Sequence, residues 1–470
     1  MIKVLLSHKL ISVFIKKACS RSSSGFSPIA DFYSGRSILI TGGTGFVGKV
    51  LIEKLLFHCD QIDKINILIR DCKGATGSQR LSKMLTLPLF QRLRIENPAF
   101  FKKLVPVSGD ITLPNLGLNP KEADALINEV SVVFHAAASV KFKDTLYNLI
   151  KHNTDGTQHV VDFAKKMKNL QVLVHVSSAY SQSDRKYVKE VPYPTKIKLK
   201  EVKDVAAINK MKLDDINDPI VSHGRANTYT LTKALAEDIV VGTDNLPAII
   251  VRPSIISPVY RDGLPGWVDS WFGGTSLIAT AGKGICHVVR GDKRNVMDLV
   301  PVDYVCNALI VGAAQYTRNQ DKTPVYNMCT SSTNPVTLQS IRSILSKCVQ
   351  RQNFNVMPYG VVITDTNILY NLCRLVSETI PGHIADTAYK LRSQKPWYNK
   401  ALQKIEDQRE VMDVFTSNSW TFDSSKTELL CLSLTPEERT KFHLDPAEID
   451  WEEYLMIYLN GISEYLMKKR

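Results

Sequence analysis

The sequence lacks the features that mark several specialised classes of protein. Its nine cysteines form no Cys-x-x-Cys pair, and an odd, scattered set argues against both a disulfide framework and a zinc site. No stretch reaches the roughly 18 apolar residues expected of a membrane-spanning helix. No dense Lys/Arg run accompanies an aromatic platform, so we expect no nucleic-acid partner. With 44% apolar and 22% charged residues, the chain is expected to be globular and to face a reducing compartment.

Positive charge is unevenly distributed along the chain. The formal net charge is +13, and residues 1–30 contain no acidic side chain but five basic ones: Lys3, Lys9, Lys16, Lys17 and Arg21. The short apolar run at residues 10–15 matches neither a secretory signal nor an amphipathic presequence well. A solvated basic surface, an anionic membrane and a polyphosphate ligand are all compatible with this charge.

From residue 37 onward, short apolar runs alternate with helical patterns. Six runs are rich in Val, Ile and Leu without polar alternation, as in strands covered on both faces: residues 37–41, 65–70, 104–108, 132–135, 172–177 and 248–252. Helical patterns lie between them, for example at residues 45–57, 119–129 and 144–168. This order predicts an α/β fold with a Rossmann-type, doubly wound parallel sheet.

A glycine-rich segment joins the first predicted strand to the first predicted helix. It reads Thr41-Gly42-Gly43-Thr44-Gly45-Phe46-Val47-Gly48. The glycine spacing suits a tight turn, close approach of the backbone to a pyrophosphate, and tight packing of helix on strand. The strand before it and the helix after it provide the context that a lone glycine triplet lacks. We therefore predict a dinucleotide site with contacts from Gly42, Thr44, Gly45, Phe46, Val47 and Gly48.

The end of the second predicted strand indicates which dinucleotide binds. An NAD site usually has a carboxylate there, which holds the ribose 2′-hydroxyl. Arg70 occupies this position instead, and Asp71 follows it. A guanidinium pairs well with a 2′-phosphate, so we predict NADPH as the cofactor. The alternative is that Arg70 is a surface charge.

Two residues one helical turn apart have the chemistry of an acid–base pair. The four-residue spacing of Tyr229 and Lys233 puts the phenol and the ammonium on one face of a predicted helix. We expect Lys233 to lower the tyrosine pKa from its ordinary value of about 10, because an ammonium stabilises phenolate. Ser178 follows the predicted strand at residues 172–177, where its hydroxyl can meet a substrate oxygen. We predict Ser178, Tyr229 and Lys233 as the catalytic residues.

These motifs resemble those of the extended short-chain dehydrogenase/reductases and, among them, the fatty acyl-CoA reductases. The resemblance extends over about residues 31 to 466. The chain is most similar to the shorter insect members of the family, including alcohol-forming reductases of moth pheromone glands. The family often has threonine where Ser178 stands, and many members end in a membrane anchor, which we do not expect here. Further segments that carry the likeness are Gly109-Asp110-Ile111-Thr112, His135-Ala136-Ala137-Ala138-Ser139-Val140, Val251-Arg252-Pro253-Ser254-Ile255 and Pro265-Gly266-Trp267-Val268-Asp269.

The resemblance implies four-electron reduction of a long-chain acyl-CoA to a primary alcohol, with two NADPH and a bound or transient aldehyde. Tyr229 and Ser178 would then hydrogen-bond the thioester carbonyl, and Lys233 would also hold the nicotinamide ribose. No metal is implied. Two alternatives stay open: a sugar-nucleotide epimerase or steroid dehydrogenase of the same fold, and a non-catalytic scaffold protein. The remaining implied cofactor contacts are Asp110, Ile111, Ala136, Ala137 and Pro253.

We predict three parts of the chain. A basic segment spans residues 1–30, an NADPH-binding reductase domain spans 31–340, and a smaller, mostly helical C-terminal domain of the fatty acyl-CoA reductase type spans 341–470, because the strand–helix alternation stops near residue 340. Residues 185–223 are expected to form an insertion over the site. The basic and apolar side chains of the first 21 residues predict peripheral membrane attachment, on the cytosolic face of the endoplasmic reticulum, with peroxisome and mitochondrion as alternatives. Oligomeric state is not predicted.

Overall fold

The computed structural model describes residues 28–72, 74–208, 224–271, 273–316, 323–351 and 360–467. Almost all of the expected basic segment, and residues 209–223 of the expected insertion, therefore lie outside the described residues. The described part of that insertion contains a two-residue strand, Tyr187–Val188, and the helix Leu199–Ile208.

A parallel sheet of seven strands lies at the centre of the molecule. In space the strands follow the order β7-β6-β5-β4-β1-β2-β3, and all neighbours are parallel. The strand order reverses between β1 and β4, which is where open α/β sheets bind dinucleotides. The predicted doubly wound fold is confirmed, and β7 is the one strand of this seven-stranded sheet that the sequence pattern missed. The strands are β1 Ser37–Thr41, β2 Lys64–Ile69, β3 Leu104–Ser108, β4 Val130–His135, β5 Val172–Val176, β6 Ala248–Pro253 and β7 Val325–Met328.

Helices cover both faces of the sheet, as the strand pattern predicts. Ile38 and Ile40 of β1 pack with the helices Phe46–His58 and Val302–Ala314, whereas Leu39 packs in a separate apolar cluster on the other face. A π-helical turn, Ile150–Asp155, interrupts the long helical segment on that second face. The other α-helices of this region are Pro28–Tyr33, Gly77–Leu85, Gln91–Glu96, Pro120–Glu129, Leu146–Leu149, Gly156–Ala164, Thr228–Val241 and Gly274–Gly282.

The C-terminal region is mostly helical, and its described residues pack against the preceding region. The helix Leu338–Arg351 spans the domain boundary expected at residues 340 and 341. Two short strands, Val362–Thr364 and Thr421–Phe422, pair with Val288–Arg290 and Tyr187–Val188 of the preceding region. Both regions bury apolar residues in one shared cluster, and the division at residues 340 and 341 stays a prediction. The remaining helices are Asn367–Arg374, Ile380–Leu391, Tyr398–Ser417, Ser425–Ser433, Pro436–Lys441 and Trp451–Gly461.

The first described helix lies at the expected N-terminal boundary. The helix Pro28–Tyr33 crosses the limit expected at residue 30, and its Ile29 and Tyr33 side chains are buried. The Ile29 amide donates to Oε1 of Glu438, 3.0 Å away, so this helix joins the C-terminal region to the sheet. No helix within the described ranges is long and apolar enough to cross a membrane.

Candidate active site

The helix Thr228–Val241 carries both predicted acid–base residues. Asn227 caps its N-terminus: Oδ1 accepts a hydrogen bond from the amide of Thr230 at 3.0 Å, and the Thr230 hydroxyl accepts one from the amide of Asn227 at 3.2 Å. This capping box sets the residue at which the helix begins. It thereby places Tyr229 in the first turn and Lys233 in the second, and both side chains are buried.

Tyr229 and Ser178 line a cavity of about 300 Å³ beside the glycine-rich segment. The segment forms one wall, and residues that follow β4, β5 and β6 line much of the rest. The structure thus brings most of the predicted site residues to one place. Those that line the cavity are Gly42, Gly45, Phe46, Val47, Gly48, Ala136, Ser178, Tyr229 and Pro253.

Glycine is required at two positions of this wall. Gly42 has a φ of 76°, and a Cβ there would lie 2.6 Å from the amide nitrogen of Ala137. A Cβ at Gly48 would lie 2.3 Å from the carbonyl oxygen of Gly42, so the helix could not pack so closely on the loop. The loop, with Thr44 at its centre, leads into the N-terminus of the helix Phe46–His58. These residues fit the pyrophosphate of a nicotinamide dinucleotide.

The structure corrects the expectation for the pKa of Tyr229. Burial raises the pKa of the phenol above its ordinary value, where a lowered pKa was predicted. Lys233 does not contribute to this shift, and its ammonium donates a hydrogen bond to the carbonyl oxygen of Val176, 2.6 Å away. The phenol is therefore protonated at neutral pH. That is the state needed to donate a proton in a reduction.

Lys233 is a buried cation among groups that burial keeps neutral. Burial lowers its pKa to about 8, although the nearby Glu237 carboxylate acts in the opposite direction. His135 and His175 lie on neighbouring strands with ring centroids 5.3 Å apart. Burial and then the Lys233 charge lower the pKa of both, that of His135 to about 3. At neutral pH the buried positive charge in this region is therefore carried by Lys233 and not by the two histidines.

A buried ion pair behind the site was missed in the sequence. Glu237, one turn after Lys233, accepts a hydrogen bond from Nη2 of Arg252 at 2.6 Å. It also accepts from the hydroxyls of Ser177 and Ser181. Burial alone would raise the pKa of Glu237, but the Arg252 charge and these hydrogen bonds bring it below its usual value. The four-residue step from Lys233 to Glu237 was the signal that could have revealed it.

The other predicted cofactor residues lie at the ends of β2 and β3, which are neighbours. Nη1 of Arg70 is 3.8 Å from Oδ2 of Asp110, and the Arg70 side chain is about half exposed. Oδ1 of Asp110 accepts from the amide of Thr112 at 2.9 Å. Ile111 is buried against the helix Gly156–Ala164, where a Cβ at Gly156 would approach its Cδ1 to 2.8 Å. Arg70 and Asp110 thus lie where the adenosine half of a dinucleotide is expected.

The apolar part of the cavity wall was also missed. Phe142 packs edge-on against Tyr229, with ring centroids 4.9 Å apart. Met412 and Phe415 reach the cavity from the helix Tyr398–Ser417 of the C-terminal region. Phe415 in turn packs edge-on against Tyr180, another lining residue, at 4.7 Å. No sequence motif places residues 412 and 415 beside Tyr229, because only the tertiary fold brings them together.

Fold and site together define a dehydrogenase/reductase of the short-chain type: a glycine loop, a strand-end serine and a helix with Tyr-x-x-x-Lys. Family models described as male sterility protein match residues 40–309, with an NAD-binding domain, and residues 377–469. Fatty acyl-CoA reductase 1 of Rattus norvegicus is 35% identical over 448 residues, which cover 94% of this chain and 86% of the relative. Fatty acyl-CoA reductase wat of Drosophila melanogaster is 31% identical over 459 residues, with the same shares of 94% and 86%.

The chain belongs to the fatty acyl-CoA reductase family, as the sequence motifs predicted, and binds a nicotinamide cofactor. The finer likeness to moth pheromone-gland members stays a prediction. Among solved structures, the terminal R domain of the myxalamid biosynthetic pathway is similar, with a TM-score of 0.62, 20% identity and 93% of each chain covered. UDP-glucuronic acid 4-epimerase of Bacillus cereus in complex with NAD has a TM-score of 0.53, 14% identity, and 91% of this chain and 99% of that chain covered. These two likenesses show the fold alone.

Substitution of Tyr229 by phenylalanine tests the predicted proton donor. We expect Tyr229→Phe to reduce turnover by about 10²-fold or more, because the hydroxyl is lost while the ring and its packing remain. Cofactor affinity, measured by fluorescence titration, should stay nearly unchanged. Tyr187→Phe, on a residue that is 51% exposed, is the matched control and should keep full activity. A Tyr229→Phe enzyme with more than about a tenth of the wild-type rate would contradict the assignment.

Lys233→Met tests the burial of the ammonium through the pH dependence of folding stability. Between its folded-state pKa of about 8 and the higher pKa of an exposed lysine, the unfolded chain binds one more proton. The wild type therefore gains stability as the pH rises through this window, by at most about 1.4 kcal/mol per pH unit. The variant has no such group, so the wild type should gain stability relative to the variant as the pH rises.

Denaturant unfolding of the cofactor-free proteins at about pH 7 and about pH 10 measures this difference. Lys121→Met, at an exposed helical position, should leave the difference from wild type independent of pH. If the stability difference between Lys233→Met and the wild type were also independent of pH, burial would not lower the pKa of the Lys233 ammonium.

Proposed function

We propose that the protein reduces a long-chain fatty acyl-CoA to a primary fatty alcohol and CoA, with two NADPH consumed. The observation that carries the proposal is one cavity lined by Tyr229, by Ser178 and by the glycine loop. Phe142, Met412 and Phe415 give it a wall suited to an alkyl chain. Relatives that align with nearly the whole chain carry the name fatty acyl-CoA reductase.

Two hydroxyls act on the reacting oxygen in this proposal. Each NADPH, held through its pyrophosphate at the glycine loop, would supply one hydride, and a second NADPH would replace NADP+ before the second reduction. Tyr229 and Ser178 donate hydrogen bonds to the thioester carbonyl oxygen, which stabilises its developing negative charge. Collapse of that adduct breaks the carbon–sulfur bond, releases CoA thiolate and leaves an aldehyde. In the second reduction Tyr229 transfers its proton to the alcohol oxygen, and solvent replaces that proton.

The charges around the end of β2 support NADPH as the cofactor. The Arg80 side chain lies beside Arg70: its Nη1 donates a hydrogen bond to the Arg70 carbonyl oxygen, 2.5 Å away. Asp71, the carboxylate that an NAD site would use, accepts instead from the Gly77 amide at 2.8 Å and the Ser108 hydroxyl at 3.1 Å. The guanidinium groups of Arg70 and Arg80 favour binding of a 2′-phosphate. Asp71 already accepts hydrogen bonds from the protein, so it is less free to bind a 2′-hydroxyl.

Analysis of reaction products tests the proposed activity. Purified protein incubated with NADPH and palmitoyl-CoA should form hexadecanol, identified by mass spectrometry, with two NADPH oxidised per alcohol. Tyr229→Phe serves as the inactive control. Accumulation of hexadecanal as the end product would limit the reaction to two electrons. Turnover of a nucleotide sugar or a steroid, with none of palmitoyl-CoA, would replace the proposal with one of the alternative enzymes.

Arg70→Ala tests the cofactor preference. The variant should bind NADPH more weakly by about 1.5–3 kcal/mol, the contribution of a hydrogen bond to a charged group, and bind NADH almost as before. Arg294→Ala, on an arginine whose side chain is 90% exposed, is the control and should change neither affinity. Isothermal titration with both cofactors provides the measurement. Equal losses for NADPH and NADH would place Arg70 away from the 2′-phosphate.

We also propose that the protein works at a membrane surface, on the cytosolic face of the endoplasmic reticulum, with peroxisome and mitochondrion as the alternative locations. Long-chain acyl-CoA and fatty alcohol both partition into bilayers, so attachment shortens the path of substrate and product. The basic residues that predict this attachment fall within residues 1–27, outside the described residues. That these basic residues attach the protein to the membrane stays a prediction.

A further inference from the structure

One helical segment of the C-terminal region presents a row of large apolar side chains to solvent. The segment runs through Asn367–Arg374, the π-helical turn Leu375–Thr379 and Ile380–Leu391. Exposed fractions in the row range from 46% to 83%, whereas most large apolar residues of the sheet region are buried. A contiguous apolar surface of this kind usually marks a contact with a partner or a membrane. We call it the apolar stripe: Ile368, Leu372, Val376, Ile380, Ile384 and Leu391.

The opposite side of the segment is held in the protein, so the stripe cannot turn inward. Glu378 is buried and forms an ion pair with the buried Arg409. Its Oε1 also accepts hydrogen bonds from the amides of His287 at 2.6 Å and Val288 at 3.2 Å. Rotation of the helix would separate this buried pair, which is strongly unfavourable. The outward orientation of the stripe is therefore a built feature of the fold.

Exposed basic residues follow the end of the stripe along the chain. Between residues 380 and 404 the single carboxylate is Asp386, and it is occupied by the amides of Trp397, Tyr398 and Asn399 at 2.8 to 3.0 Å. Trp397 itself is 45% exposed. Exposed tryptophan, apolar side chains and lysine or arginine together are typical of helices that lie at an anionic bilayer surface. The basic rim consists of the exposed residues Lys390, Arg392, Lys395, Lys400 and Lys404.

We propose that the apolar stripe rests in the surface of an anionic lipid bilayer, with the basic rim against lipid headgroups. The helix Tyr398–Ser417 links this surface to the cavity: Gly382 of the stripe segment lies against Tyr398, and the same helix carries Met412 and Phe415 into the cavity wall. The inference deepens the proposed function, since it names the source from which an acyl chain reaches the site. Membrane binding itself does not depend on turnover.

Flotation of the full chain with lipid vesicles tests this inference. The protein should float with vesicles of phosphatidylcholine and phosphatidylserine, and much less with phosphatidylcholine alone or at high salt. Leu372→Ser with Ile384→Ser should reduce the floated fraction about tenfold. Ile95→Ser, on an apolar side chain that is 73% exposed but far along the chain, should float like the wild type.

A second pair of variants separates charge from apolar contact. Lys390→Glu with Lys395→Glu should remove the preference for phosphatidylserine, whereas Lys121→Glu, on an exposed lysine elsewhere, should retain it. Palmitoyl-CoA reduction in detergent should be unchanged in all of these variants. If the wild type makes no alcohol but the flotation pattern holds, the proposed function fails and the membrane inference stands.

Three outcomes would overturn the inference. The first is equal flotation of the wild type and the Leu372→Ser, Ile384→Ser variant. The second is a dimer, seen by light scattering without vesicles, that this variant converts to a monomer, because the stripe would then join two copies of the chain. The third is loss of flotation only on Lys16→Glu with Lys17→Glu, which would assign attachment to the N-terminal segment.

Discussion

The buried ion pair between Glu237 and Arg252 is the interaction on which the active site depends. Glu237 continues the helix that carries Tyr229 and Lys233, and its carboxylate also holds the Ser177 hydroxyl, next to Ser178. Arg252 is the second-last residue of β6, directly before Pro253 of the cavity wall. One carboxylate thus joins the acid–base helix, the strand-end serine and the sheet. Loss of either partner would leave a buried charge unpaired, at a cost of about 3–5 kcal/mol.

The C-terminal region completes the cavity rather than adding a separate module. Its helix Tyr398–Ser417 supplies Met412 and Phe415, and Phe415 packs with Tyr180, two residues beyond Ser178. Trp420 and Phe422 surround the same tyrosine ring, with centroids 5.4 and 5.3 Å away. The polar half of the site therefore comes from the sheet region. Much of the apolar half depends on Met412 and Phe415, which follow Tyr229 by more than 150 positions in the sequence.

Local patterns predicted what local physics determines. Apolar runs gave six of the seven strands, and glycine spacing and the Tyr229–Lys233 step gave the polar half of the site. The pattern missed β7, a run of only four residues that contains Asn327. It also predicted a lowered pKa for Tyr229, because the spacing shows that Lys233 is near but not that its ammonium binds Val176. Burial and long-range contacts, such as Phe415 beside Tyr180, have no signature within a short window.

In the proposed reaction one cavity, with Tyr229 as proton donor, carries out both reductions at the same carbon. The most direct measurement uses NADPH deuterated at both C4 positions, with palmitoyl-CoA and mass spectrometry of the alcohol. We expect hexadecanol with two deuterium atoms, both on the carbon that carries the hydroxyl. A product with deuterium on any other carbon, or an aldehyde with one deuterium that is never reduced further, would contradict it.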